Sequence, residues 1–83
     1  MTELRIEVSD GALAGMRLDP AALAAELRLA AAVKWYELGR VSQGRAAEIA
    51  GLSRAELIDA LGRFGVSPFQ ETAEELIAEA TPK

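Results

Sequence analysis

The sequence contains no cysteine and no histidine, and this absence removes several classes of chemistry at once. Disulfide bridges, zinc sites built from Cys and His, nucleophilic cysteines and Ser-His-Asp triads are all excluded. A phosphate-binding loop is also missing, because neither Gly11 nor Gly15 is followed by the Lys-Ser/Thr pair that such a loop needs. The sequence therefore predicts a protein that is not an enzyme, with no cofactor, no metal and no small-molecule substrate.

Aromatic residues and long apolar runs are also scarce. Only 5% of the 83 residues are aromatic although 51% are hydrophobic, so alanine, leucine and isoleucine dominate the apolar content. This composition is typical of a small helical domain with close contacts between its helices. No run is long enough to span a bilayer and no secretory signal is seen, which predicts a cytoplasmic protein with no membrane association.

An overall excess of positive charge is lacking too. The formal net charge of −4 argues against general coating of nucleic acid, but the charge is unevenly distributed. Residues 34–65 carry five basic and four acidic side chains, whereas residues 66–83 carry one basic and four acidic ones. The acidic C-terminal part therefore predicts contact with a basic partner.

The N-terminal residues alternate between apolar and charged side chains. Leu4, Ile6 and Val8 are interleaved with Arg5 and Glu7, and this period of two predicts a short β-strand with one apolar face. A lone strand leaves its backbone groups unpaired, so it would pair either with residues 66–69 or with the same strand of a second chain. The pattern does not choose between these partners, although the second would form a homodimer.

A long central helix begins at Asp19 and Pro20, because Asp caps free N–H groups and Pro fits the first helical position. The helix is predicted to run to about Leu38 and to end at Gly39. Its apolar residues fall into two stripes, one with Leu23, Leu27, Ala30, Ala31 and Leu38 and the other with Leu29, Val33 and Tyr36. Two stripes, with Trp35 beside them, predict that the helix is covered on more than one side, in the domain core or in a dimer.

The most informative stretch is residues 42–64, which reads as two short helices around a tight turn at residues 51–53. Gly51 supplies the left-handed backbone that ends the first helix, and Ser53 with Glu56 forms a capping box for the second. The small residues that allow close packing of the first helix are Ala46, Ala47 and Ala50. This spacing is that of a helix-turn-helix and predicts DNA binding.

Seven residues are candidates for contact with DNA. Ser53, Arg54 and Ile58 lie at the start of the second helix, where such proteins read base edges in the major groove. The candidates for phosphate contact are Arg40, Gln43, Arg45 and Arg63. Asp59 would repel phosphates unless it paired with Arg63, four residues on, or met a cytosine amino group. The alternative is that Arg54 and Arg63 are solvated charges on a compact hairpin that binds no DNA.

Residues 67–83 form the second predicted unit, an acidic tail that follows a strand-helix-HTH domain of residues 1–66. Ser67 and Pro68 interrupt any helix, and Thr72 with Glu75 forms a second capping box that predicts a short C-terminal helix. The residues expected to bind a partner protein are Phe69, Glu74, Glu75, Leu76, Ile77 and Glu79. The predicted fold class is therefore mainly α, with one short N-terminal strand.

The central part of the chain resembles a small uncharacterised family of prokaryotic proteins whose members are predicted antitoxins. The resemblance is carried by YELGR at residues 36–40, GRAAEIAGLS at residues 44–53 and LGRFGV at residues 61–66. Gln43 departs from the family pattern, because members often have leucine there.

This resemblance implies the antitoxin role of a type II toxin–antitoxin system. Such an antitoxin neutralises a toxin, often a PIN-domain ribonuclease, through its C-terminal segment, and it represses its own operon through a DNA-binding part. The implied partners are a cognate toxin protein and operator DNA, with a homodimer as the binding unit. An acidic tail suits this role, because a nuclease that handles RNA usually has a basic surface. The competing hypothesis is a protein-interaction adaptor or dimerisation module that does not bind DNA.

Overall fold

The computed structural model describes residues 1–68, which contain four helices. In chain order they are α1 (Asp10–Met16), α2 (Pro20–Glu37), α3 (Gln43–Ala50) and α4 (Arg54–Arg63). Helix α2 packs along α3, α3 packs on α4, and α1 lies against α2. None of these four helices is long and apolar enough to cross a bilayer. The predicted C-terminal helix lies outside the described residues.

Helix α2 begins and ends where the sequence predicts. The carboxylate of Asp19 accepts a hydrogen bond from the backbone N–H of Ala22 at 2.8 Å, and Pro20 occupies the first helical position. At the other end, Gly39 has a φ of 75°, and its N–H donates to the carbonyl of Tyr36 at 3.0 Å. The mainly α fold class and the long central helix are therefore confirmed.

The prediction of an N-terminal β-strand is wrong. Residues 1–9 form no regular secondary structure, and Leu4, Ile6 and Val8 are 81%, 69% and 46% exposed. Val66, in the segment suggested as a pairing partner, is buried in the core, and its N–H donates to the carbonyl of Leu61 instead of to a second strand. Alternation alone does not make a strand, because the backbone groups of a strand need a partner that residues 1–68 do not supply.

Helix α1 lies in a part of the chain, residues 10–16, for which the sequence predicts no helix. The hydroxyl of Ser9 accepts a hydrogen bond from the N–H of Ala12 at 3.1 Å, which caps the helix. At its C-terminal end, Arg17 adopts a left-handed conformation with a φ of 57°. The Ser-Asp-Gly sequence is as typical of a helix N-terminus as of a turn, so it does not by itself distinguish the two.

The hydrophobic core lies between α2, α3 and α4. Its buried members are Ala32, Val33, Tyr36, Ala46, Ala47, Leu57, Leu61 and Val66. Ala46 is fully buried and Ala47 is 6% exposed, so the backbone of α3 lies close to its neighbours. The second apolar stripe predicted for α2 faces this core, whereas Leu27 and Leu38 of the first stripe stay 40% and 59% exposed.

Gly51 and Arg28 together shape the connection between α3 and α4. Gly51 has a φ of 72° and ends α3 in the left-handed conformation that the sequence predicts. The Nε of Arg28 donates to the carbonyl of Ile49 at 2.8 Å and so satisfies one of the last carbonyls of α3. A Cβ on Gly51 would lie 3.0 Å from an Nη of Arg28. Glycine is therefore favoured here by the backbone conformation, and the guanidinium packed against it leaves little space for a Cβ.

Gly51→Ala should destabilise the protein, because a left-handed conformation costs an L-residue about 1–2 kcal/mol and the new methyl group would also displace Arg28. Urea unfolding measures the change. Gly44→Ala is the matched control, since Gly44 lies within α3 and a Cβ there would meet nothing within 4 Å. This control should be neutral or stabilise by about 0.4–1 kcal/mol. Equal destabilisation by the two substitutions would contradict the role given to Gly51.

The start of α4 is fixed by the predicted capping box. The hydroxyl of Ser53 accepts from the N–H of Glu56 at 3.1 Å, and the Glu56 carboxylate accepts from the N–H of Ser53 at 2.9 Å. The hydrogen bond from the Ser53 backbone, aided by the Ser53 side chain, lowers the pKa of Glu56 below its ordinary value of 4.5. The ionised carboxylate is thus favoured in the folded state.

This lowered pKa predicts a pH dependence of stability that Glu56→Gln removes. The stabilisation from Glu56 is fully present above pH 4.5 and is lost as the pH falls through the lowered pKa of the folded state. Glutamine keeps an acceptor for the Ser53 N–H but cannot ionise. Urea unfolding at a series of pH values should show the wild-type advantage shrinking towards acid pH. An advantage that stays constant with pH would argue against the assignment.

Candidate nucleic-acid interface

Helix α4 turns one side to the core and the other to solvent. Leu57, Ala60 and Leu61 are buried, while Ile58 is 41% exposed and Asp59 is also exposed. Because the capping box defines the first turn of α4, the residues that follow it have fixed positions on the outer side. This outer side is the one that a recognition helix would present to the major groove.

Arg54 is the first residue of α4, and a side chain from α3 holds it in place. Its Nε donates to the side-chain oxygen of Gln43 at 2.9 Å, and the Gln43 amide nitrogen donates to the carbonyl of Pro68 at 3.0 Å. The hydroxyl of Tyr36 donates to the same carbonyl at 2.9 Å. These three hydrogen bonds connect α2, α3, the start of α4 and the last described residue.

The buried position of Gln43 gives the Arg54 guanidinium a preferred orientation. Gln43 is 6% exposed, so its amide holds Arg54 from inside the protein, whereas Arg54 itself is exposed. A guanidinium has five N–H donors and Nε uses only one of them. The terminal nitrogens of Arg54 therefore remain able to bind a phosphate oxygen or the edge of a guanine.

Two of the other predicted arginines make contacts of their own within residues 1–68. Arg45 forms an ion pair with Glu48 at 2.6 Å, and both side chains are 67% exposed. The guanidinium of Arg40 lies 5.9 Å from the centre of the Trp35 ring, a cation–π contact. Arg63 follows Arg54 by nine residues, about two and a half helical turns, and so points to the opposite flank of α4.

Ser53 and Gln43 both make hydrogen bonds that stabilise the fold. The Ser53 hydroxyl oxygen accepts from the N–H of Glu56, which leaves its proton to contact DNA. Gln43 offers almost no surface of its own, so its contribution to binding would pass through Arg54. Ile58 follows Arg54 by one helical turn and lies on a neighbouring part of the surface. The structure thus groups Ser53, Arg54 and Ile58 at the N-terminal half of α4.

The charge on this surface is balanced rather than basic. Residues 42–64 carry three arginines and three acidic residues. Asp59 is exposed on the outer side of α4, and the ion pair suggested between Asp59 and Arg63 is not formed within residues 1–68. Residues 1–68 hold no group of three or more acidic side chains that would bind a metal ion. The candidate interface is therefore one oriented guanidinium on a neutral helix pair.

The residues that hold Arg54 in place do not follow from the sequence. The sequence predicts Gln43 as a surface contact for phosphate, but Gln43 is buried. It stands where similar sequences often have leucine, which is typical of a buried position. The bonds from Tyr36 and Gln43 to Pro68 join residues 32 and 25 positions apart, so no local pattern announces them. The predicted partner-binding residues Phe69, Glu74, Glu75, Leu76, Ile77 and Glu79 lie outside the described part of the chain.

Comparison with known proteins identifies the family. The Uncharacterised protein family (UPF0175) matches residues 1–81. A UPF0175 protein from Aeropyrum pernix is 40% identical to this chain over 62 residues, which are 75% of this chain and 68% of the relative. No solved structure matches the chain. The match confirms the resemblance to an uncharacterised family that the sequence indicates, and the chain belongs to UPF0175.

Proposed function

We propose that this protein is the antitoxin of a type II toxin–antitoxin system, acting in the cytoplasm. It neutralises a toxin, in this proposal a PIN-domain ribonuclease, and it represses its own operon through α3 and α4. The observation that supports DNA binding is the Arg54 guanidinium, oriented by buried Gln43 at the exposed start of a capped helix. The resemblance to predicted antitoxins supports the toxin-binding part.

In the proposed complex, α4 enters the major groove with its N-terminal half. Arg54 donates two hydrogen bonds to a guanine edge or to a phosphate, and Ile58 contacts a thymine methyl group. The Ser53 hydroxyl donates to a phosphate beside them. Arg40, Arg45 and Arg63 contact the backbone from the periphery, and Arg45 leaves Glu48 to do so. The Asp59 carboxylate repels nearby phosphates, so in this complex it faces a base and accepts a hydrogen bond from a cytosine amino group.

The toxin in this proposal is bound by residues 67–83. This segment carries four glutamates and one lysine, and a ribonuclease needs a basic surface to hold RNA. Leu76 and Ile77 supply apolar side chains next to these charges. The acidic segment therefore competes for the same kind of surface that the toxin uses for RNA.

A second candidate function is a protein-interaction adaptor that does not bind DNA. The observation that favours it is the balanced charge of α3 and α4, with Asp59 exposed on the outer side of α4. DNA binding depends largely on phosphate neutralisation, which a neutral surface supplies poorly. In a gel-shift assay at low salt, the adaptor is favoured if the protein does not retard its own promoter DNA, either alone or with the toxin.

Arg54→Ala should weaken binding to the protein's own promoter by about 1–3 kcal/mol and lower the salt slope by about 1, because one oriented cation is lost. Gln43→Leu keeps every charge and the buried volume but removes the acceptor that orients Arg54. It should weaken binding less than Arg54→Ala and leave the salt slope unchanged. Fluorescence anisotropy with labelled promoter DNA over a range of salt concentrations measures both quantities.

The control for loss of charge is Arg17→Asn, since Arg17 is exposed, lies outside α3 and α4, and has a left-handed backbone that Asn tolerates. It should change affinity only slightly. Thermal unfolding checks that each variant is folded. If Arg54→Ala binds the promoter like Arg17→Asn, the assignment of Arg54 to DNA is refuted.

Reversal of the tail charge should separate toxin binding from DNA binding. The double substitution Glu74→Lys/Glu75→Lys should prevent co-purification with a co-expressed toxin encoded next to this protein's gene, because the tail then repels a basic toxin surface. Promoter affinity should stay equal or rise, because the tail then also attracts phosphate. Growth on co-expression with the toxin gives a second measurement. Protection from the toxin that matches the wild type would exclude these two glutamates from the toxin contact.

A further inference from the structure

The carbonyl oxygen of Pro68 accepts hydrogen bonds from two groups inside the protein. The hydroxyl of Tyr36 on α2 donates to it at 2.9 Å, and the side-chain nitrogen of Gln43 on α3 donates at 3.0 Å. Tyr36 is 3% exposed and Gln43 is 6% exposed, so water hardly reaches either donor. A buried donor that loses its acceptor is costly, and this cost holds the Pro68 carbonyl where both donors meet it.

The Pro68 carbonyl also determines which end of the Gln43 amide faces Arg54. A carbonyl can only accept, so it draws the amide nitrogen of Gln43 towards itself. The amide oxygen then points away from Pro68, and the Nε–H of Arg54 donates to this oxygen at 2.9 Å. A flipped amide would turn its N–H groups towards the Arg54 donor and its oxygen towards the Pro68 carbonyl. Neither pair could form a hydrogen bond, so the carbonyl selects one of the two directions.

We propose that Tyr36 and the Pro68 carbonyl position the Arg54 guanidinium, although neither belongs to α4. Tyr36 holds the carbonyl, the carbonyl fixes the direction of the Gln43 amide, and the amide oxygen holds Arg54. We call these four groups the Pro68 network. Tyr36 is thus a positioning residue on α2 for a contact that α4 makes. The meaning for DNA binding rests on the proposed function, whereas the orientation of Arg54 is a property of the protein alone.

The path of the chain after α4 therefore influences the outer side of α4. Val66 is buried, and its N–H donates to the carbonyl of Leu61 at 2.9 Å, so the chain is fixed until two residues before Pro68. The ring of Pro68 restricts its own φ and so limits the positions that its carbonyl can take. A change in this short connection would move the carbonyl from Gln43 and loosen Arg54 without altering any residue of α3 or α4.

Tyr36→Phe tests the proposal, because it removes one donor from the Pro68 carbonyl and keeps the buried ring. The Nε–H of Arg54 should exchange with water about two- to tenfold faster than in the wild type, the range that one net hydrogen bond gives. Nitrogen-15 NMR of the full chain without DNA measures this exchange. The matched control is Val33→Ala, which removes buried atoms from the same helix and core but from no member of the Pro68 network. It should lower the unfolding temperature and leave the exchange at Arg54 unchanged.

Pro68→Gly gives a second test that leaves every side chain of the other three members in place. It keeps the carbonyl but frees the backbone that carries it, so the exchange at Arg54 should again become faster. The matched control is Pro20→Gly, the same substitution at the first residue of α2, outside the Pro68 network. Both substitutions loosen the unfolded chain alike, and Pro20→Gly should leave the exchange at Arg54 unchanged.

A double-mutant cycle tests whether Tyr36 acts through Gln43. Gln43→Leu removes the acceptor of the Arg54 Nε–H, so adding Tyr36→Phe to this variant should cause no further acceleration of exchange. Further acceleration in the double variant would overturn the proposed order of contacts. Exchange at Arg54 that stays at the wild-type rate in both Tyr36→Phe and Pro68→Gly would overturn the proposal as a whole.

Promoter binding distinguishes a failure of this proposal from a failure of the proposed function. If α4 binds DNA, Tyr36→Phe should weaken promoter binding by no more than Gln43→Leu and leave the salt slope unchanged, because no charge is lost. Faster exchange at Arg54 in a protein whose wild type does not bind its promoter would refute the DNA-binding role and support the positioning by Tyr36. Wild-type promoter binding, with unchanged Arg54 exchange in Tyr36→Phe, would refute the positioning alone.

Discussion

Close packing of α3 between α2 and α4 is the constraint on which the rest of the structure depends. Residues 1–68 bury only ten hydrophobic side chains, so the small core has little redundancy. Ala46 and Ala47 are small enough for α3 to lie close to both neighbours, and Leu57 and Leu61 of α4 are completely buried in the same core. A larger residue in place of Ala46 would push the helices apart and expose these leucines.

Because the packing is tight, one buried polar side chain, that of Gln43, determines how an exposed side chain is oriented. Gln43 is buried in a core with few members, and an unsatisfied amide there would cost about 1–3 kcal/mol. Its oxygen and nitrogen are instead paired with Arg54 and with the carbonyl of Pro68. The need to satisfy one buried amide thus fixes the direction of an exposed guanidinium and the path of the chain after α4.

Local patterns predicted α2, α3 and α4 well, because their signals act within a few residues. Asp19 bonds to a residue three positions away, as do Ser53 and Glu56 with each other. The contacts that complete the fold span longer distances, such as Arg28 to Ile49 across 21 positions. No spacing rule predicts such contacts. The sequence therefore indicates Arg54 as a candidate but not the residues that hold it in place.

The prediction of an N-terminal strand is wrong for a related reason. A helix satisfies its hydrogen bonds within itself, so a cap and a periodic apolar side are sufficient to predict it. A strand depends on a partner elsewhere, and the alternation of Leu4, Ile6 and Val8 contains no information about one. Local patterns therefore predict the helix α2 correctly but predict a strand at residues 4–8 that does not form.

The balanced charge of α3 and α4 limits how strongly a single copy could bind DNA. A single copy offers one oriented arginine on a neutral helix pair, and so few phosphate contacts would give only weak DNA binding. If the protein binds DNA as the homodimer that the resemblance implies, the second contact with DNA would form at high effective concentration. Affinity would then come from duplication rather than from a basic surface. An antitoxin built in this way could keep an acidic tail for its toxin and still bind an operator with two-fold symmetry.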